Sequence, residues 1–451
     1  AYIYFIKRLK RGLNMKFVRL SDRAYILKQC RKINIYIREE NGALKYEELN
    51  ETAYEILDLV NKGTSIIDIS KKLADKYNEK ISDVQEIVQN FLIDCRSKGY
   101  IEISTGSKIS KNKIFGDVNM IIPHHMLIET TYSCPLECRH CINESGIHRT
   151  ERIPSDVLIE TLNKLSELGT KEITLTGGEV TTRSDFVDLV KLCSSKFQML
   201  NILTTGHLIT ECMISEIERC CNKNILWQIS IDGNEETHNH IRCNRQAYKR
   251  AINAIKILKK YDFFVSISST IHKDNIDQME DIYKYIKESG ADRLRYGIII
   301  EKGRAEKNNI SINNEFLQRL NAIRKKYKHE NLLINEDLSQ LNMNIKKEKC
   351  DLGVYILSIK ATGDIVACPG FDLSLGNINQ SSLESILSSK KADILLDLKS
   401  PTKSLCGDCS SIQECKGCHA VPLNKKSNVC SWKIQNKNIL DEFLEVEKVT
   451  Y

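Results

Sequence analysis

No apolar run in this 451-residue chain reaches the roughly 20 residues a helix needs to cross a bilayer, so no membrane span is expected. No export signal is expected either. The first residues place apolar groups (Tyr2 to Ile6) ahead of basic ones (Lys7, Arg8, Lys10, Arg11), the reverse of the secretory order. Met15 would serve as a start, so residues 1–14 read as an upstream extension of uncertain status. Nor is there a basic stripe. The formal charge of +7 is spread through Lys-rich helical patterns, as on solvated faces, and no nucleic-acid or membrane partner is expected. Charged residues make up 28% of the chain, ordinary for a globular protein, and the length allows two or three domains. The expected compartment is the cytoplasm, where reducing conditions make disulfide scaffolds rare. The 17 cysteines therefore need another explanation.

Ten of them fall in spaced groups. The other seven (Cys30, Cys95, Cys193, Cys212, Cys220, Cys221, Cys243) lie mostly in helical patterns, where small buried hydrophobes are the default. The densest group is Cys134-x3-Cys138-x2-Cys141, at the end of an apolar, strand-like run from Met126 to Tyr132. Three thiolates on one loop can hold three corners of an iron–sulfur cube and leave the fourth iron open. Zinc would want four ligands, usually from Cys-x2-Cys pairs. Past residue 340 come Cys350, Cys368, Cys406, Cys409, Cys415, Cys418 and Cys430. Cys406-x2-Cys409-x5-Cys415-x2-Cys418 is a compact ligand loop, for which two structural zincs are the alternative to clusters. Ahead of it, Tyr355 to Val366 reads as a β-hairpin carrying Cys368 past its end.

Residues 15–105 read as one small domain. Ile33, Ile35 and Ile37 alternate with polar residues, Asn41-Gly42 supplies a hairpin turn, and a second strand follows near Leu44 to Glu48. Three helices come next. The first starts at the Asn50 cap with Ala53, Ile56, Leu57 and Val60 inward, and the second starts at Ser65 with Ile66, Ile69, Leu73 and Ala74 inward. The third is expected to open on a Ser82/Gln85 capping box, to bury Val84, Ile87, Val88, Phe91, Leu92 and Cys95, and to stop at Gly99. The pattern is winged-helix-like. A DNA-reading third helix should be basic, whereas this one carries Asp83, Glu86 and Asp94. An exposed sheet edge that accepts a peptide as an added strand suits the charges better.

After a polar linker (106–120), strand and helix signals alternate. Strands are expected near 126–132, 172–176, 201–204, 226–231, 263–270 and 293–297, with amphipathic helices between them. Six such units imply an α/β fold, a parallel sheet curled into a partial (β/α)6 TIM-like barrel. Sites in such barrels gather at the C-terminal strand ends, where the cysteine triad falls. Gly177-Gly178-Glu179 follows the second strand: two glycines for close backbone approach, and a carboxylate able to hold an ammonium group. Thr204-Thr205-Gly206 follows the third. The fourth ends in Ser230-Ile231-Asp232-Gly233, with His238, His240 and Arg242 beyond it. The two histidines are expected on a solvated loop, with a second metal site as the alternative.

This combination resembles the radical S-adenosylmethionine (SAM) superfamily over roughly residues 120–310. The resemblance implies that Cys134, Cys138 and Cys141 hold a [4Fe–4S] cluster whose open iron binds SAM. It implies that Gly177, Gly178 and Glu179 receive the SAM amino group, that Ser230 contacts the ribose, that His140 lies near the adenine, and that Arg242 pairs with a nearby carboxylate. Thr205 stands where asparagine is usual, and Val180 where proline is usual; neither change removes a required charge. The tail resembles the SPASM extension, which carries up to two auxiliary [4Fe–4S] clusters. By that pattern Cys406, Cys409, Cys415 and Cys430 hold an outer cluster and Cys350, Cys368 and Cys418 an inner one. Seven cysteines cannot fill eight corners, so the inner cluster is expected to have an open iron, another cysteine or a non-cysteine ligand. Residues 15–105 resemble the PqqD-like module that binds leader peptides, on Leu49 to Tyr54 and Lys98-Gly99-Tyr100-Ile101.

Together these parts resemble maturases of ribosomal peptides, in particular the thioether-forming, subtilosin-type sactisynthase group, on Leu375-Gly376-Asn377-Ile378 and Cys430-Ser431-Trp432-Lys433. The implied reaction is hydrogen abstraction by a 5′-deoxyadenosyl radical, then bonding of a Cys sulfur to that carbon. The implied partners are a leader-bearing precursor peptide and a flavodoxin- or ferredoxin-type reductant. Other SPASM chemistry (epimerisation, C–C crosslinking, formylglycine formation) and a non-catalytic Fe–S carrier or zinc adaptor are the alternatives. The expected layout is a recognition domain (15–105), linker (106–120), barrel (121–310), helical bridge (311–349), SPASM domain (350–435) and C-terminal helix (436–451).

Overall fold

The computed structural model describes residues 17–39, 44–104, 113–311, 314–327, 355–407, 409, 418–424 and 430–448. The chain divides into two compact units, the first chiefly residues up to Ile122 and the second from Pro123 on. Among the described residues no helix is long and apolar enough to cross a membrane. The Asn41-Gly42 turn, Cys350, Cys415 and most of the expected bridge lie outside the described residues.

The first unit contains the strands β1 (Phe17–Leu20), β2 (Ala24–Gln29), β3 (Lys32–Arg38), β4 (Leu44–Glu48), β5 (Ile101–Ser104) and β6 (Ile114–Gly116). They form a two-stranded β1-β5 sheet and a four-stranded sheet in the order β4-β3-β2-β6. The expected β3–β4 hairpin is present, with Arg38 opposite Leu44. Three features were not anticipated: β1, β2, and a strand at 114–116 inside the expected linker. The β2–β3 turn is made by Cys30 and Arg31, both at positive φ (52° and 61°), a two-residue geometry usually signalled by Asn-Gly. Cys30 is thus a turn residue rather than a helical one.

Helices span Glu51–Asn61, Ile66–Tyr77 and Ile81–Ser97. Asn50 and Ser65 cap the first two, accepting from the backbone N–H of Ala53 and Asp68. The third departs from expectation. Its N-cap is Lys80, with no side-chain bond, while Ser82 sits inside the first turn and donates to Asp83 Oδ1 (2.9 Å). Val84, Val88, Leu92 and Cys95 face the core, and Ile87, about 100° round the helix from Val88, is 62% exposed.

The second unit is organised on one nine-stranded sheet, in the order β12-β11-β10-β9-β8-β7-β13-β14-β15. Its parallel strands are β7 (His125–Glu129), β8 (Glu172–Thr176), β9 (Met199–Thr204), β10 (Ile225–Ser230), β11 (Phe264–Ile271) and β12 (Arg293–Ile298). All six expected strands are present, each joined to the next in parallel register. Leu158, Leu162 and Leu165 of helix Ser155–Leu168 are fully buried, as are Ile173, Leu175, Leu200, Ile202, Trp227 and Ile229 on the strands. Truncating one such leucine to alanine costs about 2–5 kcal/mol.

The expected hairpin is β13 (Ile356–Ile359) and β14 (Asp364–Cys368), followed by β15 (Phe371–Asn377). It is not a separate module. β13 runs parallel to β7, with Ile356 opposite His125 and Ile359 opposite Ile128, so the C-terminal region extends the barrel sheet past its first strand. The C-terminal helix is Lys437–Lys448.

Candidate active site

The cysteine loop leaves the C-terminal end of β7 and is tied down from three directions. Cys134 N–H donates to Gly146 O (3.1 Å), and Arg139 N–H to Ile241 O (2.9 Å). Arg304, just beyond β12, gathers the loop's carbonyls: Nε donates to Cys138 O (2.8 Å), a terminal amino group to Ser145 O (2.5 Å), and its own N–H to Cys141 O (3.0 Å). Gly303, at φ 61°, lies so near that a Cβ would stand 2.4 Å from Ile142 O. Sequence reasoning missed Arg304; a lone arginine after a strand carries no local signal.

Cys134 and Cys138 are buried and Cys141 is half-buried, packed with Leu136 and Ala247. Burial pushes the Cys134 and Cys138 thiols up; the Glu179 carboxylate adds to this at Cys134, while the Arg242 guanidinium opposes it at Cys138. Cys141 Sγ accepts from Ser145 N–H (3.3 Å). Among the described residues no three His, Cys, Asp or Glu side chains converge on a single ion. Thiolates on a cubane each take a different iron, so three grouped but separated sulfurs in an apolar pocket fit a cluster better than one zinc.

Gly177-Gly178-Glu179 packs directly against this loop's stem. A Cβ on Gly177 (φ +138°) would stand 2.2 Å from Thr131 O, and one on Gly178 2.4 Å from Ser133 O. Gly178 N–H donates to Thr131 O (2.6 Å) and Glu179 N–H to Ser133 O (2.9 Å). The glycines thus bring two backbones together, rather than leaving space only for a ligand. The Glu179 carboxylate is fully buried and held by threonines. Oε1 accepts from Thr181 N–H (3.2 Å), Thr181 Oγ1 (2.6 Å) and Thr204 Oγ1 (2.6 Å); Oε2 accepts from Thr205 N–H (2.8 Å) and Thr205 Oγ1 (2.5 Å). With about four lone-pair directions on a carboxylate, an arriving ammonium has to displace a hydroxyl. Thr205 therefore acts on Glu179; Thr181 and Thr204 were missed.

Ser230 ends β10, half-buried and in register with Ser268 of β11. His238 and His240 are not on a solvated loop. Both lie on helix Glu235–Arg242, and His238 is buried, its Nδ1 accepting from Asp232 N–H (3.1 Å). His240 meets Arg139 instead. Arg242 does find a carboxylate: its Nε donates to Asp232 Oδ2 (2.6 Å), and an amino group points at Cys138 Sγ (3.7 Å). His140 lies 5.8 Å from His272, ring centre to ring centre. Its Nδ1 is buried without a partner, and burial pulls the ring down to about 3, against Asp232, so it is neutral. An unpaired buried ring nitrogen beside the loop suits a hydrogen-bonding ligand.

In the C-terminal region Cys406, Cys409 and Cys430 come together. Burial first, then these two neighbouring thiols, pushes Cys406 up. Cys368 lies beside Gly370, which packs against Ala420, two residues after Cys418. All five are half-buried. Of the unspaced cysteines, Cys95 and Cys193 are buried as expected, while Cys212, Cys220 and Cys243 are exposed.

Strand-end cysteines beside a threonine-held glutamate on a partial barrel define a class, and comparison with known proteins agrees. Residues 128–286 match the radical SAM superfamily, 40–101 the coenzyme PQQ synthesis protein D (PqqD) family, and 350–419 the SPASM iron–sulfur cluster-binding domain. The chain belongs to the radical SAM superfamily, as a SPASM member with a PqqD-like module. It is similar to the antilisterial bacteriocin subtilosin biosynthesis protein AlbA of Bacillus subtilis (strain 168), 25% identical over 92% of this chain and 95% of the relative. It is also similar to the sporulation killing factor maturation protein SkfB of the same strain, 28% identical over 64% of this chain and 70% of the relative. Streptococcus suis SuiB bound to its precursor peptide SuiA has the same fold: TM-score 0.65 at 15% identity, covering 91% of this chain and 98% of that one.

Proposed function

We propose that this enzyme installs intramolecular thioether crosslinks, Cys sulfur to carbon, in a ribosomally made precursor peptide. The observation that carries the reading is the meeting of Cys134, Cys138 and Cys141 with Glu179 at the ends of β7 and β8, in a chain that also holds a second cysteine field. The relatives named for subtilosin biosynthesis and for killing-factor maturation support a peptide substrate.

When bound, a [4Fe–4S] cluster with SAM supplies reductive SAM cleavage and hydrogen abstraction from an unactivated C–H bond. The chain's own residues do the holding. Cys134, Cys138 and Cys141 bind the cluster, and Arg304 fixes the loop between them. Glu179, turned by Thr181, Thr204 and Thr205, receives the SAM ammonium group, with Gly177 and Gly178 setting its backbone. Ser230 contacts the ribose, and neutral His140 hydrogen-bonds near the adenine. Cys406, Cys409, Cys415 and Cys430 hold one auxiliary cluster; Cys350, Cys368 and Cys418 hold the other.

β4 ends its sheet, and Lys45, Tyr46, Glu47 and Glu48 are exposed along it. The precursor's leader adds there as a strand, while its core enters the barrel. Residues 15–105 form the recognition domain, 121–310 the barrel and 350–435 the SPASM domain. A flavodoxin- or ferredoxin-type protein supplies electrons, in the cytoplasm. The test is anaerobic incubation with SAM, reductant and a short Cys-containing peptide encoded beside this gene. Each crosslink removes two hydrogens from the peptide mass. Formation of 5′-deoxyadenosine with an unchanged peptide mass contradicts thioether formation and favours epimerisation.

A further inference from the structure

The buried pair Asp232–Arg242 reaches from just past the end of β10 to the cysteine loop. Asp232 is fully buried and Arg242 is 7% exposed. Each face of Asp232 is used: Oδ2 accepts from Arg242 Nε (2.6 Å), Oδ1 from Thr270 N–H (3.0 Å), its carbonyl from Asn275 Nδ2 (2.9 Å), and its N–H goes to His238 Nδ1 (3.1 Å). Burial alone would push the Asp232 carboxyl up, but the Arg242 guanidinium bonded to it outweighs this and holds the group ionised. The carboxylate is thus a fixed anchor, and the guanidinium it grips is aimed at Cys138 Sγ (3.7 Å). The backbone repeats the link, since Ile241 O takes the N–H of Arg139 (2.9 Å), the residue after Cys138.

The geometry points to Asp232 and Arg242 as a positioning pair that holds a cation against the Cys138 corner of the cluster and so raises its reduction potential. The inference rests on the reading that Cys134, Cys138 and Cys141 hold the cluster. Charge and hydrogen bonds at the sulfurs set such potentials. Reduction adds one negative charge to the cluster, so a nearby cation favours the reduced form. The three corners are unequal in this respect. Cys138 faces a guanidinium, Cys141 a backbone N–H, and Cys134 the Glu179 carboxylate. Asp232 matters because a buried guanidinium without a carboxylate is costly to keep in place.

The test is an anaerobic redox titration of the reconstituted full-length protein, following the EPR signal that SAM perturbs and that marks the open-cornered cluster. R242Q is expected to move that potential negative, lowering the reduced-to-oxidised ratio several-fold at fixed potential, where tenfold is ~59 mV for one electron. R242K, which keeps the charge but not the fork, should lie between R242Q and wild type. The double variant D232N/R242Q leaves net charge unchanged and two amides able to bond each other. It should still shift negative, by less than R242Q, because the lost cation stood nearer the sulfur than the lost anion. The double variant decides the matter if R242Q holds no iron. A wild-type potential in either neutral variant overturns the proposal, since a merely structural pair would leave the potential in place. The underlying reading fails separately, if C138A retains the SAM-perturbed signal.

Discussion

The two cysteine fields of this enzyme are held in opposite ways. The loop of Cys134, Cys138 and Cys141 springs from a buried strand, and its carbonyls and amides are pinned by Arg304, Ile241 and Gly146. The protein itself shapes that loop. In the C-terminal field the described cysteines are half-buried, and the helices beside them (Lys403–Cys406, Ala420–Asn424, Ser431–Gln435) are four or five residues long. Helices so short do not stand alone. Among the described residues the anchors there include buried Trp432, with Nε1 donating to Lys399 O (2.5 Å), and Gln435, with Nε2 donating to Leu405 O (2.8 Å). The first field should therefore fold before its metal, and the second should fold on it.

The largest effect should come from emptying the second field alone. Cys430→Ala removes a thiol from the Cys406/Cys409 group and should abolish crosslinked peptide while 5′-deoxyadenosine formation stays within about threefold of wild type, if the barrel carries the cleavage as proposed. Both activities are read from one anaerobic assay by mass spectrometry. Equal loss of both would mean that the two fields do not work separately.

How far each field was legible in the sequence follows the same division. Cys134, Cys138 and Cys141 are local: their spacing and the apolar run before them sufficed, and the six parallel strands announced themselves by periodicity. Gly177-Gly178-Glu179 was also local, although the partner of the glycines, the backbone at Thr131–Ser133, was not. Long-range pairings left no trace. β13 joins β7 across more than 200 intervening residues. Arg242 could be expected to find a carboxylate, but neither Asp232 as that carboxylate nor Cys138 as their common neighbour could be foreseen. β2 escaped because Cys30 and Arg31 make a positive-φ turn without glycine or asparagine. Ser82 misled because a capping box was fitted two residues too far in, whereas Lys80 is the N-cap.

Hydrogen exchange on protein reconstituted and then stripped of iron sharpens the comparison. Amides of 126–146 should keep their protection, whereas those of 403–406 and 420–424 should lose roughly 3 kcal/mol of it, the linkage expected when a ligand at far above its dissociation constant is withdrawn. Retained protection in 403–406 and 420–424 would break the account of a metal-built field.

A smaller effect is carried by two buried imidazoles, one near each field. Burial pulls both His238 and His419 down to about 4; Arg242 adds to this at His238 while Asp232 opposes it, and the Leu398 carbonyl opposes it at His419. Their folded values lie below the unfolded value of about 6.5. The stabilisation is therefore complete above that pH and is lost as pH falls from about 6.5 to about 4, by up to about 3 kcal/mol for each group. In iron-free protein only His238 should still be in folded surroundings. Urea denaturation between pH 7.5 and 4.5 should show a flatter pH dependence for H238Q than for wild type, and an unchanged one for H419Q. Equal flattening by both would place His419 in structure that needs no metal.

The central claim is that the Cys134–Cys141 loop, and not the C-terminal field, carries SAM cleavage. Dithionite-driven 5′-deoxyadenosine formation by C134A tests it most directly, with iron counted on the same sample. The account predicts loss of about four of about twelve irons and no 5′-deoxyadenosine above the protein-free control. Cleavage at the wild-type rate in C134A would contradict it.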